Sequence, residues 1–169
     1  MIVVTMGVCG TGKTSVGQIV ASRMGWTFIE GDDLHPALSR EKMASGTPLT
    51  DDDRWPWLDS IAEAMHVIHE AGGSAVVACS ALRQVYRDRL RLSGAEIIFL
   101  HLTGDASLIR ERMEARRDHF MPPGLLDSQL ATLEAPRADE PVFEIDVAGS
   151  VEEIAGAVVR SLSGDPASD

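Results

Sequence analysis

The feature that most constrains the fold of this chain is a glycine-rich loop near its start. Residues 7–14 read Gly-Val-Cys-Gly-Thr-Gly-Lys-Thr and fit the pattern G-x-x-x-x-G-K-[ST]. Residues 2–6, directly before the loop, are apolar or β-branched, as in a buried parallel strand, and a helical pattern follows it. This order of strand, loop and helix predicts a P-loop, in which the glycines let backbone N–H groups cradle phosphate oxygens.

The loop predicts a nucleotide site. Lys13 is expected to reach the β- and γ-phosphates, and the Thr14 hydroxyl to bind Mg²⁺. The helix that starts at Lys13 adds the positive end of its dipole. The predicted cofactors are therefore ATP and Mg²⁺. The nucleotide-binding residues predicted in this stretch are Gly7, Val8, Cys9, Gly10, Thr11, Gly12, Lys13, Thr14 and Ser15.

Apolar runs and helical patterns alternate along the rest of the chain, which predicts an α/β fold. Unbroken apolar strands are typical of a parallel sheet that helices cover on both faces. Because we find no repeat or linker, we expect one domain over residues 1–162 and a frayed tail at 163–169. After the first strand and helix, strands are predicted at 26–29, 75–79, 96–102 and 142–147, and helices at about 36–44, 53–71, 82–92, 105–116, 125–134 and 151–162.

Charge and hydropathy limit the partners of the protein. The 169 residues carry a formal net charge of −11, and such an acidic surface repels nucleic acids and anionic lipids. No apolar stretch has the length needed to span a bilayer, and the first residues lack the basic region of a signal peptide. We therefore expect a cytoplasmic protein that binds neither nucleic acid nor membrane.

The second strand ends in polar residues that suit an acceptor site. Glu30 and Asp32 stand at alternating positions, and His35 follows them. A carboxylate near the γ-phosphate can orient or deprotonate an acceptor hydroxyl, and another can hold Mg²⁺ through water. The chain has neither an Asn-Lys-x-Asp signature nor a strand that ends in Asp-Glu, so attack by a substrate hydroxyl is favoured over hydrolysis of the nucleotide.

Several segments resemble, in order, the bacterial gluconokinase family. The resemblance extends from residue 6 to about residue 136 and implies the fold of the nucleoside monophosphate and shikimate kinases, a three-layer P-loop kinase fold. That fold has a five-stranded parallel sheet of order 2-3-1-4-5. The implied reaction is the phosphorylation of D-gluconate by ATP at the 6-hydroxyl. The segments are residues 31–36, 41–46, 49–54, 56–58, 79–83, 86–88, 115–116, 119–120, 125–126, 128–129 and 133–134.

The resemblance also implies roles for individual residues. Asp32 would hold and activate the acceptor hydroxyl, and Glu30 would assist Mg²⁺ through water. Arg112 would lie against the adenine. Arg116 would belong to a mobile lid at about residues 116–124 and reach the transferring phosphate, so Lys13, Asp32 and Arg116 form the predicted catalytic set. The implied gluconate-binding residues beside Asp32 are His35, Lys42, Arg83 and Arg87. The family is also associated with a homodimer.

The basic residues support part of this assignment independently. A gluconate carboxylate needs a cationic partner, and arginine supplies a planar bidentate one. Arg83 and Arg87 are spaced i, i+4, which predicts that they share a helix face. The alternative is a solvated basic helix, because Arg89 and Arg91 continue the run. Lys42 is the only lysine outside the loop, which marks it as a candidate, with a solvated surface position as the alternative.

Three positions depart from the family pattern, and three other functions remain open. The family more often has Ser at Cys9, Asp at Glu30 and Asn at Ser39. A shikimate-kinase-like enzyme shares the fold but carries a Gly-Gly-Gly run where residues 79–81 read Cys-Ser-Ala. A nucleoside monophosphate kinase usually has an Asp-Gly-Phe-Pro-Arg-like segment, which this sequence lacks. A non-enzymatic ATP-binding module is the third alternative.

Overall fold

The computed structural model describes residues 1–115 and 124–163 of the chain. The five described strands form one parallel sheet in the order β2-β3-β1-β4-β5, as the resemblance implied. They are β1 (Ile2–Met6), β2 (Thr27–Glu30), β3 (Ala75–Ala78), β4 (Ile97–Thr103) and β5 (Val142–Asp146). Arg116, the predicted lid up to residue 123, and residues 164–169 of the predicted tail lie outside the described residues.

Helices connect the strands, within a few residues of the predicted bounds. They are α1 (Lys13–Met24), α2 (Ala37–Ala44), α3 (Asp51–Glu70), α4 (Gln84–Arg91), α5 (Ala106–Glu114), α6 (Leu125–Thr132) and α7 (Val151–Ser163). A 3₁₀ turn, Gly31–Leu34, follows β2. Of the helices in the described part of the chain, none is long and apolar enough to cross a membrane.

The start of α3 shows how the sequence specifies a helix boundary. The Thr50 hydroxyl accepts a hydrogen bond from the Asp53 N–H at 3.3 Å, and the Asp53 carboxylate accepts one from the Thr50 N–H at 2.9 Å. This reciprocal capping box satisfies donors that have no partner inside the helix. Thr50 is thus the N-cap residue, and the helix begins directly after it, at Asp51, two residues before the predicted start.

Two apolar cores lie on opposite faces of the sheet. Alternate residues of β1 enter each of them: Ile2 and Val4 pack against α3 and α4, whereas Val3 packs against α1 and α7. β1 and β3 are buried along their whole length, as predicted for central parallel strands. The edge strand β5 differs, because Phe143 is 59% exposed. The predicted covering of the sheet on both faces is confirmed, and β5 at its edge is less buried than the central strands.

A third, smaller core forms beside the glycine-rich loop. It joins the loop to α5 and α6, and its buried members are Val8, Cys9, Leu82, Ile109 and Leu126. The loop leaves the carboxyl end of β1, and ligands of open α/β sheets bind at that end of the strands. The fold therefore brings the loop and the segments after β2 and β3 to one edge.

Candidate active site

The glycine-rich loop is shaped by close packing against α5. Gly10 has φ +82°, and a Cβ at this position would lie 2.6 Å from the Met113 side chain and 2.9 Å from that of Ile109. Any larger residue would push the loop away from α5. The Thr11 hydroxyl donates to the Val8 carbonyl at 2.9 Å and closes the turn. The predicted phosphate-binding backbone is thus held in one conformation.

Lys13 lies inside this loop and close to the acceptor side of the site. Its Nζ donates to the Val8 carbonyl at 2.9 Å. Burial lowers the pKa of Lys13, and the negative charge of Asp32 is the largest effect that opposes the shift. Asp32 therefore lies within the electrostatic reach of the P-loop lysine. Two residues of the predicted catalytic set thus interact electrostatically, and their catalytic roles stay predictions.

The predicted magnesium residues are in direct contact. The Thr14 hydroxyl donates to the Glu30 carboxylate at 2.7 Å. A hydroxyl and a carboxylate oxygen are hard ligands of the kind that Mg²⁺ prefers. The departure from Asp to Glu at position 30 is thus compatible with the role, because the longer side chain reaches Thr14. These residues fit a magnesium ion that is bound together with the phosphates.

The turn that carries Asp32 is fixed by backbone packing and by Trp57. A Cβ at Gly31 would lie 2.3 Å from the Ala78 carbonyl oxygen, so only glycine lets the turn approach β3. The Trp57 indole N–H donates to the Gly31 carbonyl at 2.7 Å. The Asp32 side chain itself is 81% exposed. The carboxylate is therefore exposed to solvent on a fixed turn. Sequence reasoning gave Trp57 no role, although it lies in one of the family-like segments.

His35 is a buried part of the same turn. Its ring stacks on Trp57 with a centroid distance of 4.2 Å and an interplanar angle of 10°. His35 Nε2 lies 3.9 Å from Asp32 Oδ1, and Nδ1 has no hydrogen-bond partner among the described residues. Burial lowers the pKa of His35, which favours the neutral form of the ring. Its predicted contact with gluconate stays a prediction.

Lys42 binds the capping residue of α3. Its Nζ lies 2.5 Å from Asp53 Oδ1. This contact, with the hydrogen bonds from Thr50, holds the pKa of Asp53 at about 2. Ser39 also donates to the Asp53 carbonyl at 3.3 Å, so α2 is docked on the start of α3. The role of Lys42 in gluconate binding stays a prediction, and the structure adds this local contact.

Arg83 also meets a carboxylate in the first turn of α3. Its guanidinium binds Asp51 and lies 3.1 Å from Glu134, and the side chain remains 33% exposed. The Tyr86 hydroxyl donates to Asp51 at 2.5 Å, and this bond is the largest cause that lowers the pKa of Asp51. Arg54 lies 3.9 Å from the same carboxylate. Two partly exposed arginines are therefore paired with one aspartate.

Arg87 is a correction to the predicted substrate set. Its side chain has no exposure, and it donates to both oxygens of Glu140, at 2.5 and 3.1 Å. A further nitrogen donates to the Ala81 carbonyl at 3.2 Å. Arg87 is therefore closed off from solvent and from a ligand bound at the surface. Arg83 is the N-cap residue and has extended backbone angles, so the i, i+4 spacing does not place the two arginines on one helix face.

The buried arginine instead supports the turn after β3. Ala81 has φ +44°, which is an unfavourable conformation for a residue with a side chain. Its carbonyl is held by Arg87, and the carbonyl of the preceding residue, Ser80, accepts a hydrogen bond from the Gly7 N–H at 3.2 Å. The first glycine of the loop thus rests on a turn that Arg87 stabilises.

Two further contacts complete the site. Arg112 donates to the Gly149 carbonyl at 3.1 Å, which joins α5 to the loop after β5. Its contact with adenine stays a prediction. The Cys9 N–H donates to Gln129 Oε1 at 2.6 Å. Sequence reasoning gave Gln129 no role, and the only signal was its place in the family-like segment 128–129.

The sequence is similar to known gluconokinases over most of its length. A family model described as an AAA domain matches residues 2–136. The gluconokinase of Gluconobacter oxydans (strain 621H) is 49% identical over 142 residues, which are 84% of this chain and 80% of that protein.

The chain is also similar to solved structures of a gluconokinase and a sugar kinase. The crystal structure of a gluconokinase from Sinorhizobium meliloti 1021 is 46% identical with a TM-score of 0.86, and the match covers 96% of this chain and 91% of that one. An unliganded sugar kinase from Janibacter sp. HTCC2649 is 45% identical with a TM-score of 0.90, over 96% and 94% of the two chains.

Proposed function

The chain belongs to the gluconokinase family, and from this premise we propose that it transfers the γ-phosphoryl group of ATP to the 6-hydroxyl of D-gluconate. The products are 6-phospho-D-gluconate and ADP. The observation that carries the assignment beyond family membership is the hydrogen bond of 2.7 Å from the Thr14 hydroxyl to the Glu30 carboxylate. It joins the P-loop to the end of β2, directly before the turn that carries the exposed carboxylate of Asp32.

In the proposed reaction the 6-hydroxyl oxygen attacks the γ-phosphorus. The bond between that phosphorus and the oxygen bridging to the β-phosphate breaks, and its electron pair leaves with ADP. Asp32 accepts the proton of the hydroxyl and passes it to solvent. Lys13 and the loop N–H groups stabilise the charge on the β- and γ-phosphates. Atoms and charges balance without another reactant.

The remaining residues bind and orient the reactants. Thr14 is proposed to bind Mg²⁺ directly, and Glu30 through water. When bound, Mg²⁺ supplies charge neutralisation at the phosphates. Arg112 is proposed to lie against adenine, and Arg116 to reach the transferring phosphate. His35, Lys42 and Arg83, together with Asp32, are proposed to bind gluconate, whereas Arg87 is left out because it is buried in an ion pair.

For the whole protein we propose a cytoplasmic enzyme that forms a homodimer. The acidic net charge of −11 supports the absence of nucleic acid and anionic membrane among its partners. The turn Cys79-Ser80-Ala81, in place of a Gly-Gly-Gly run, argues against the shikimate-kinase-like alternative.

A substrate panel tests the function. Purified protein with ATP and Mg²⁺ is assayed for ADP release with gluconate, shikimate, other sugar acids and nucleoside monophosphates. We expect release above the background only with gluconate or its close stereoisomers, and 6-phosphogluconate as product. Nucleotide binding without release on any acceptor would instead indicate a non-enzymatic ATP-binding module.

A further inference from the structure

One contact at the P-loop has no part in the mechanism above, namely the hydrogen bond between the Cys9 N–H and Gln129. We propose that Gln129 is a further catalytic residue, whose Nε2 donates a hydrogen bond to the γ-phosphoryl group during its transfer. The inference rests on the proposed function for the identity of the reaction, and on the following geometry for the role of the residue.

The orientation of the Gln129 amide follows from its partner. A backbone N–H can only donate, so the side-chain oxygen of Gln129 must face Cys9, at 2.6 Å. The other end of the amide, Nε2, then carries two N–H donors. Neither of them has a hydrogen-bond partner among the described residues. The side chain therefore offers neutral donors next to a loop that binds anions.

One peptide unit links Gln129 to the P-loop lysine. The carbonyl of the Val8–Cys9 peptide accepts a hydrogen bond from Lys13 Nζ at 2.9 Å, and the N–H of the same peptide donates to Gln129. No cis peptide is present in the described residues, so the two groups point in opposite directions. From these lengths, Lys13 Nζ and Gln129 Oε1 are at most roughly 8 Å apart. The peptide itself lies between these two atoms, so a phosphoryl group that meets both donors would lie beside this peptide.

Packing holds the donor in place. Leu126, one turn before Gln129 in α6, is 2% exposed and belongs to the small core that contains Val8 and Cys9. Beyond α6, the Glu134 N–H donates to the Leu82 carbonyl at 2.8 Å. The helix is thus attached to the loop on one side and to the turn after β3 on the other. A donor that needs no reorganisation at the moment of reaction is the most effective kind.

The chemical demand matches such a donor. In phosphoryl transfer the charge is spread over the three equatorial oxygens of the γ-phosphoryl group. Lys13 supplies a cation on one side of the Val8–Cys9 peptide, and Gln129 adds a neutral donor on the other side. Removing a single donor of this type lowers kcat on the order of 10²-fold.

Two variants test the role. Gln129→Glu keeps the oxygen that accepts from Cys9 but replaces the donors, and Gln129→Met removes both functions without adding charge. We expect both to lower kcat on the order of 10²-fold, while Tm and the affinity for MgADP stay close to those of the wild type. Gln18→Glu and Gln18→Met, on the exposed side of α1, are matched controls that should leave kcat unchanged.

Three results would overturn the proposal. A normal kcat in Gln129→Glu would mean that only the oxygen that accepts from the Cys9 N–H matters. A normal kcat in Gln129→Met would mean that Gln129→Glu is impaired only by its added negative charge. A loss of kcat that is matched by losses of Tm and of MgADP affinity would indicate a purely structural contact.

A binding experiment separates this inference from the proposed function. The affinities of the wild type and of Gln129→Met for Mg²⁺ with AMP-PNP and for MgADP are measured by calorimetry without any acceptor. We expect the variant to lose about 10-fold or more in affinity for AMP-PNP and little for ADP, because only AMP-PNP carries the γ-phosphoryl group. Equal losses for both nucleotides would overturn the role of Gln129. If Gln129→Met loses affinity for AMP-PNP selectively but the wild type does not phosphorylate gluconate, only the proposed function is overturned.

Discussion

Asp32 and Asp33 are adjacent residues of one turn with different surroundings. The charge of Asp32 acts on Lys13, His35 and Cys79, whereas the described contact of Asp33 is made by its carbonyl, which accepts from Arg40 at 3.4 Å. Cys79 illustrates the low polarity behind the site, since burial raises the pKa of its thiol to about 12. Of these two adjacent carboxylates, only that of Asp32 acts on the P-loop lysine and on the buried groups behind the site.

This difference gives a direct test of the proposed base. Asp32→Asn preserves shape but cannot accept the hydroxyl proton, so we expect kcat for gluconate phosphorylation to fall about 10²- to 10⁴-fold. Folding and ATP affinity should remain, because Asp32 is exposed and the Lys13 contact with Val8 is retained. Steady-state kinetics and calorimetry measure the two effects.

Asp33→Asn is the matched control for this prediction, since it makes the same chemical change one residue further along the exposed turn. Its kcat should stay near that of the wild type. If Asp32→Asn retained a near-normal kcat, the base would be Glu30 or a group of the substrate itself.

At the scale of elements, α4 is attached to the end of the sheet by a buried ion pair. Arg87, from the first turn of α4, binds Glu140, which precedes β5, and neither side chain is exposed. The guanidinium holds the pKa of Glu140 below its usual range. A buried pair of this kind is strongly destabilised when one partner is removed, because the other charge then lacks compensation.

We therefore predict that Arg87→Met destabilises the fold without acting on gluconate binding directly. The free energy of unfolding at pH 7, measured with urea, should fall by about 3–5 kcal/mol. The KM for gluconate of the folded protein should change little. The loss of unfolding free energy should shrink as the pH falls through the ordinary titration range of a glutamate. In the variant, Glu140 lacks Arg87 and takes up a proton, whereas in the wild type Glu140 stays charged.

Arg89→Met provides the comparison, since Arg89 pairs with Asp59 at 2.5 Å on the surface. Exposed pairs contribute little, so this variant should unfold close to the wild type. A stable Arg87→Met protein with a strongly raised KM for gluconate would instead place Arg87 in the substrate site.

The order of the elements could be predicted from the sequence, but the partners of several side chains could not. The loop motif and the alternation of apolar strands and helices indicate a parallel α/β sheet, and the family-like segments supply the strand order. The spacing of Arg83 and Arg87 in the sequence does not tell whether the face of α4 that carries Arg87 meets the substrate or the core. The contact of Gln129 with Cys9 joins residues 120 positions apart, which no local pattern encodes.

At the scale of the whole molecule, the packing around the P-loop disfavours the charge that nucleotide binding requires at Lys13. The loop is packed against α5 and α6 and hydrogen-bonded to the turn after β3. Lys13 sits in this environment as a cation whose pKa is lowered by burial. A lysine with a lowered pKa reduces stability below its ordinary pKa, because folding disfavours its charged form. The residue that is proposed to bind phosphate therefore costs stability until the phosphate is bound.

Lys13→Met separates these two effects. We expect the Tm of the variant without nucleotide to equal or exceed that of the wild type at pH 7. The difference should shrink as the pH rises towards 10.5, because the folded lysine loses its proton below this value and the lysine of the unfolded chain loses it there. With MgADP at about 100 times its Kd, the wild type should gain about 2.7 kcal/mol, and Lys13→Met should lose most of this gain. Thermal scans with and without MgADP measure both quantities. Lys42→Met tests whether the effect is specific, because this lysine is exposed and pairs with Asp53. Its Tm without nucleotide should stay close to that of the wild type, and the nucleotide-dependent gain should be kept. If Lys13→Met kept the full gain from MgADP, Lys13 would have no role in holding the phosphates, and its burial would be a matter of packing alone.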